Sequence, residues 1–161
     1  MDTLTAPTVR EATEADYPAA LAVMQAAFAE FDGQLDPPSG VHGETVASLR
    51  QRIGAGGLLL AELDGQLVGM VLYRPEEGQL YMGRLSVLPA FRRRGIGNLL
   101  IEAVERRARE LGLALVGLSV RIALPGQRAS YERQGYRVVS AHAHPGYDQP
   151  TFVNMQKTLR I

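Results

Sequence analysis

Leu85-Ser86-Val87-Leu88-Pro89, continuing through Ala90-Phe91 into Arg92-Arg93-Arg94-Gly95-Ile96-Gly97-Asn98, is the stretch that decides the fold. An apolar strand ends at a proline, an arginine-rich turn follows, and two glycines open a helix. Over Ile96 to Leu111 the residues Ile96, Leu99, Leu100, Ala103, Val104, Arg107, Ala108 and Leu111 form one stripe at helical spacing, and Gly112 supplies the stop. Glycines just before a helix let the chain turn sharply and gather several N–H groups at the helix's positive end. That is a site for phosphate, to which arginines at the rim can add charge-assisted bonds. Two familiar phosphate signatures do not fit: no lysine follows Gly95 or Gly97 as a Walker loop requires, and position 100 is leucine where a dinucleotide fingerprint needs glycine.

Upstream of this segment, the pattern predicts a short strand at 8–10 and a helix over 16–31 capped by Thr13 with Asp16. A loop over 32–40 and a second helix at 44–53 come next. Strands are predicted at 58–63 and 66–73, joined by the hairpin turn Asp64-Gly65. After a turn over Pro75 to Gly78, the strand 79–88 enters the segment above. Downstream, 113–120 reads as an apolar strand covered on both faces. A short helix follows Pro125, runs through Tyr131 and ends at Gly135. Strands at 136–142 and 151–158 close the chain around the irregular loop His144 to Pro150.

The chain has 161 residues, enough for one domain of helices packed on a sheet, with residues 1–7 expected to be flexible. Seventeen basic residues balance seventeen acidic ones, so no overall field favours nucleic acid or an anionic membrane. The absence of cysteine removes disulfides, thiolate nucleophiles and cysteine-type zinc sites, and agrees with a cytoplasmic location. No run approaches the roughly 20 apolar residues that span a bilayer, and Met1 to Pro7 do not read as a secretory signal. His142 and His144 have no third ligand at metal spacing, so no metal is expected.

Arg92, Gly95 and Gly97 occupy the three fixed positions of Arg/Gln-x-x-Gly-x-Gly/Ala, motif A of the GCN5-related N-acetyltransferase (GNAT) superfamily, and the chain resembles that family over nearly its whole length. The resemblance implies a mixed α/β fold: a central, mostly antiparallel twisted sheet flanked by helices, with a splayed parallel pair that receives acetyl-coenzyme A. By the same resemblance Leu85 and Val87 offer backbone groups to the pantetheine and acyl group, while Arg92, Arg93, Arg94, Gly95, Ile96, Gly97 and Asn98 surround the diphosphate. Tyr131-Glu132-Arg133-Gln134-Gly135-Tyr136 is similar to the family's Tyr-x-x-x-Gly-Phe segment. That makes Tyr131 the expected general acid toward the departing thiolate; Tyr136 is expected in the core. The family's asparagine seven residues before that tyrosine is Leu124 here, and Gln127 stands nearer as a substitute cofactor-facing amide.

The reaction so implied is direct attack of an amine on the thioester, without an acyl-enzyme, with backbone N–H groups receiving the oxyanion. No acid lies on Gln79 to Leu85, where relatives often carry the base. Arg84, if it points inward, suits a carboxylate on the acceptor. Phe28, Glu30 and His144 are further acceptor-side candidates. Three readings follow: an N-acetyltransferase of a small-molecule primary amine, one acting on a peptide or protein N-terminus or lysine, or a protein that binds or senses coenzyme A without turnover. The terminal strands offer an edge through which a homodimer could form.

Overall fold

The computed structural model describes residues 6–160; most of the expectation for residues 1–7 lies outside them. Strand β1 (Thr8–Glu11) is followed by a tight turn at Glu14–Asp16, where Asp16 Oδ2 accepts the Thr13 N–H at 2.8 Å, as the capping pattern predicts. Helix α1 is shorter than its predicted span: the α-helix covers Tyr17–Phe28, with single tighter turns before and after it. Helix α2 (Val46–Ile53) starts at the Thr45 cap rather than at Glu44, because Thr45 and Ser48 cap each other reciprocally.

Strands β2 (Gly57–Leu63) and β3 (Gln66–Glu76) meet at the Asp64-Gly65 turn, whose φ values of 52° and 76° suit a hairpin. β3 runs three residues past its predicted end. Pro75 is tolerated because β2 pairs no further than Tyr73, so the N–H it lacks has no strand to serve. Strand β4 (Gln79–Val87), helix α3 (Ile96–Glu110), strand β5 (Leu115–Arg121), helix α4 (Pro125–Arg133) and strands β6 (Arg137–His142) and β7 (Phe152–Thr158) complete the chain. Leu111, placed in the α3 stripe by its spacing, falls beyond the last turn and is exposed.

The seven strands form one sheet in the order β1-β2-β3-β4-β5-β7-β6, antiparallel except between β4 and β5. This is the mixed α/β architecture the sequence implies. One face packs on α3, through Leu80, Met82, Val116 and Leu118 against Ile96, Leu100, Val104 and Ala108. The other packs on α1 and α2, through Leu58, Leu60, Met70 and Leu72 against Ala20, Met24, Leu49 and Ile53. β5 departs from its expected full coverage: Ser119 is exposed and holds Asn154 Oδ1 at 2.7 Å.

Two irregularities place the site. β4 and β5 pair only at Leu80 with Val116 and Tyr81 with Gly117, then diverge, leaving a wedge between them. Within that divergence β4 bulges: Gly83 pairs with Leu72 and Ser86 with Met70, so Arg84 and Leu85 together face the single residue Val71.

Candidate functional site

The wedge holds a cavity of about 590 Å³ that runs through the sheet. On the α3 face its wall includes Gly97, Asn98 and Ile101 from α3 and Leu124, Gln127 and Tyr131 around α4; on the α1 and α2 face it includes Phe28, Pro37, Gly40, Arg84 and Arg52.

The turn leading to α3 is built as an anion site. Arg93 and Gly95 both lie in the left-handed region, with φ of 64° and 77°. Gly95 caps α3 without a side-chain acceptor, so the N–H groups of Ile96, Gly97 and Asn98 have no partner within the helix. A Cβ at Gly97 would meet only Val87 Cγ2, at 4.0 Å, so packing within the chain does not demand glycine there. The bare backbone borders the cavity, where a diphosphate could approach it closely. The three arginines separate. Arg92 gives Nη2 to the Ala27 carbonyl at 3.0 Å and Nη1 to Glu30 at 2.7 Å, tying the turn to the end of α1. Arg93 and Arg94 are exposed at the rim, Arg94 lying 5.3 Å over the Phe91 ring. These features fit coenzyme A, whose thioester would supply an activated acyl carbon: N–H groups and two exposed cations for phosphate, then a slot along the edge of β4 beyond Tyr81 for an extended arm.

Leu85 lines that slot, while Val87 packs beneath it against the core. α4 presents Tyr131 because Pro125 opens the helix and Gly135, at φ 98°, turns the chain back into β6. The Tyr131 ring packs edge-on against Tyr136 at 5.9 Å, and burial, with a smaller contribution from Tyr81, pushes its phenol up to about 12. At neutral pH it is therefore a protonated donor. Tyr136 is in the core as expected, donating to buried Glu105 at 2.9 Å, which Lys157 also holds at 3.1 Å. Gln127 also borders the cavity.

On the opposite face, Arg84 does point inward. Strict alternation from Leu80 and Met82 would aim residue 84 at α3; the bulge, with Arg84 at φ 55°, turns it toward Glu44 instead. His144 reaches the cavity from the loop between β6 and β7. Its ring nitrogen Nδ1 hydrogen-bonds the Thr151 hydroxyl and its ring packs against Phe152 at 5.0 Å. Burial first, then the charge of Arg121, hold its pKa below the ordinary histidine value. Phe28 contributes to the wall, whereas Glu30 is engaged by Arg92 and is not part of it.

Sequence reasoning missed Glu44, Arg52 and Arg121. Glu44 is 3% exposed at its side chain, accepts from Arg52 Nε at 3.0 Å and lies 3.7 Å from Arg84. Arg121 donates to the Pro37 carbonyl, 84 residues away. No periodicity carries such meetings. No carboxylate lines the cavity, and among the described residues no three His, Asp or Glu side chains are placed to hold a metal ion. No helix among them is long and apolar enough to cross a membrane.

Comparison with known proteins adds three findings. The family model described as acetyltransferase (GNAT) family matches residues 20–136. A probable N-acetyltransferase 14 of Danio rerio is 34% identical over 93 residues, covering 56% of this chain and 33% of that protein. An acetyltransferase of Pectobacterium atrosepticum is 36% identical over 83 residues, covering 50% and 57%. The chain thus spans a third to just over half the length of these curated relatives. Among solved structures, the PaiA N-acetyltransferase of Thermoplasma acidophilum in complex with coenzyme A has a TM-score of 0.78 at 16% identity, over 96% of this chain and 99% of that one.

Proposed function

The chain belongs to the acetyltransferase (GNAT) family, and from that premise we propose that it moves the acetyl group of acetyl-coenzyme A to the primary amine of a small molecule by direct attack. The observation that carries this reading is the single cavity through the wedge, which joins the anion turn at Gly97 and Asn98 to a pocket on the other sheet face.

In this reading the residues divide the work between binding and proton movement. The N–H groups of Ile96, Gly97 and Asn98 hold the diphosphate, with Arg93 and Arg94 outside it. The free edge of β4 beyond Tyr81 pairs with the extended arm and sets the thioester beside Tyr131. His144 removes the proton from the acceptor's ammonium. For this it needs the tautomer in which Nδ1–H donates to Thr151, leaving the Nε2 lone pair free. The amine nitrogen then bonds to the acyl carbon, the carbon–sulfur bond breaks, Tyr131 gives its proton to the departing thiolate, and the second proton shed by the nitrogen restores the phenol. Pro37, Pro38 and Gly40 form part of the wall on the acceptor side, and a walled pocket rather than a flat groove favours a small molecule over a protein terminus.

The test is amine-dependent release of coenzyme A thiol, followed across a panel of small primary amines. Turnover is expected with wild type. Tyr131→Phe should lower kcat by roughly a hundredfold, the usual scale of general acid catalysis, with acetyl-coenzyme A binding kept within about twofold. A Tyr131→Phe enzyme as fast as wild type would remove Tyr131 from the mechanism.

A further inference from the structure

Only two buried side-chain nitrogen or oxygen atoms among the described residues lack a hydrogen-bond partner, Arg84 Nε and Arg121 Nε, and both residues line the same cavity. A guanidinium does not escape burial by losing its proton, so its unused donors call for an acceptor. Glu44 does not meet this need for Arg84. Its Oε1 is taken by Arg52, and its Oε2 lies 3.7 Å from Arg84 Nη2, beyond hydrogen-bond reach. Arg121 gives one nitrogen to the Pro37 carbonyl and leaves Nε over.

The local charge count points the same way. Arg52, Arg84 and Arg121 face Glu44 and Asp36, the latter acting on Arg121 while accepting the Tyr147 hydroxyl. The cavity's tyrosines are neutral phenols, and His144 is held toward its neutral form by burial and by Arg121. One positive charge is left uncompensated, which matches a monoanion. The backbone is what aims Arg84. Arg84 is a non-glycine residue at φ 55°, and that strained conformation is what brings its side chain into the pocket.

We infer that Arg84 and Arg121 form the receptor for a carboxylate on the acceptor, so that the substrate class is a primary amine bearing a carboxylate, an amino acid or a close relative. This rests on the acetyltransferase reading and adds to it the chemistry of the second substrate. Arg84 offers its planar fork to the carboxylate, Arg121 Nε adds a donor, and the amine of such an acceptor is left to point along the wedge toward the thioester.

The test uses the full chain labelled with ¹⁵N-arginine, so that the Arg84 Nε–H signal reports binding without turnover. Glycine, β-alanine, 4-aminobutyrate and glutamate are titrated beside their carboxamides, with O-phosphoethanolamine as a dianionic probe. At least one carboxylate should shift the Arg84 signal saturably and bind about tenfold or more tightly than its carboxamide, the scale of a lost charge-assisted pair. Arg84→Gln should erase that preference, and Arg84→Lys should restore it only in part. The inference is overturned if no carboxylate shifts the signal at tens of millimolar. Equal binding of carboxamides, tighter binding of the phosphate monoester, or a preference retained in Arg84→Gln would overturn it as well. Should Arg84→Gln not fold, the wild-type comparison of acid with amide still decides. Acetyl-coenzyme A affinity, measured on the same sample, reports on the acetyltransferase reading separately.

Discussion

In the proposed mechanism His144 and Tyr131 divide the proton work, and burial moves them in opposite directions, the imidazole down and the phenol up, because in each it disfavours the charged form. Burial raises the Tyr131 phenol to about 12, so it is fully protonated at pH 7 and has a proton to give as the carbon–sulfur bond breaks beside it. Burial and the nearby Arg121 lower His144, so it is neutral and able to accept a proton at pH 7. The sign follows directly: protonation of His144 on acidification removes the base. At saturating substrates kcat should therefore rise with pH through a midpoint below the ordinary histidine value and then level off. A pH–rate profile checks this, and His144→Gln should lose the acid limb along with most of the rate. A wild-type profile whose acid limb survives unchanged in His144→Gln would assign the base elsewhere. Arg84 shows the opposite use of burial. Desolvation weakens its hold on its proton without removing it, which leaves a cation in need of an anion.

Among the elements, the anion turn works only if α3 lies hard against the sheet, and a glycine on β3 sets that contact. A Cβ at Gly69 would stand 2.9 Å from the Ser86 carbonyl oxygen, 3.2 Å from Leu100 Cδ1 and 3.3 Å from Ile96 Cγ2. The carbonyl belongs to β4 and cannot yield as a side-chain tip can, so Gly69→Ala must lift α3 or distort the strand. It should lower stability by about 1–3 kcal/mol, the range for overpacking a filled core, as read by urea denaturation. An unchanged midpoint would mean that α3 is free to slide. The elements themselves were largely legible in the chain, because each carries its own period and punctuation: the Asp64-Gly65 turn, the α3 stripe and the Gly112 stop. Where the reading slipped, a neighbour decided. β3 continues through Pro75 because β2 has ended, and Tyr17 to Phe28 form a shorter helix because the turns at either end tighten.

At the scale of the whole molecule, the half of the site made by one continuous segment was legible and the half made by assembly was not. Arg92 to Asn98 and Tyr131 sit on a local turn and a local helix, so the strand-turn-helix pattern marks the first and the family resemblance marks the second. Glu44, Arg52 and Arg121 reach the wedge from α2 and β5, and only the packing of helices on the sheet brings them to Arg84. Arg92 shows the limit of motif reading: its side chain fastens the turn to α1 through Ala27 and Glu30 while the neighbouring backbone faces the cavity. The central claim, that this turn and wedge bind acetyl-coenzyme A, is tested most directly by calorimetric titration of wild type and Gly97→Ala. Because a Cβ at Gly97 meets nothing in the chain closer than 4.0 Å, the variant should melt as wild type does. Saturable wild-type binding, weakened about tenfold or more in the equally stable variant, is the expected result. A folded wild type that takes up no acetyl-coenzyme A at millimolar concentration, or a variant that binds it equally well, would contradict the account.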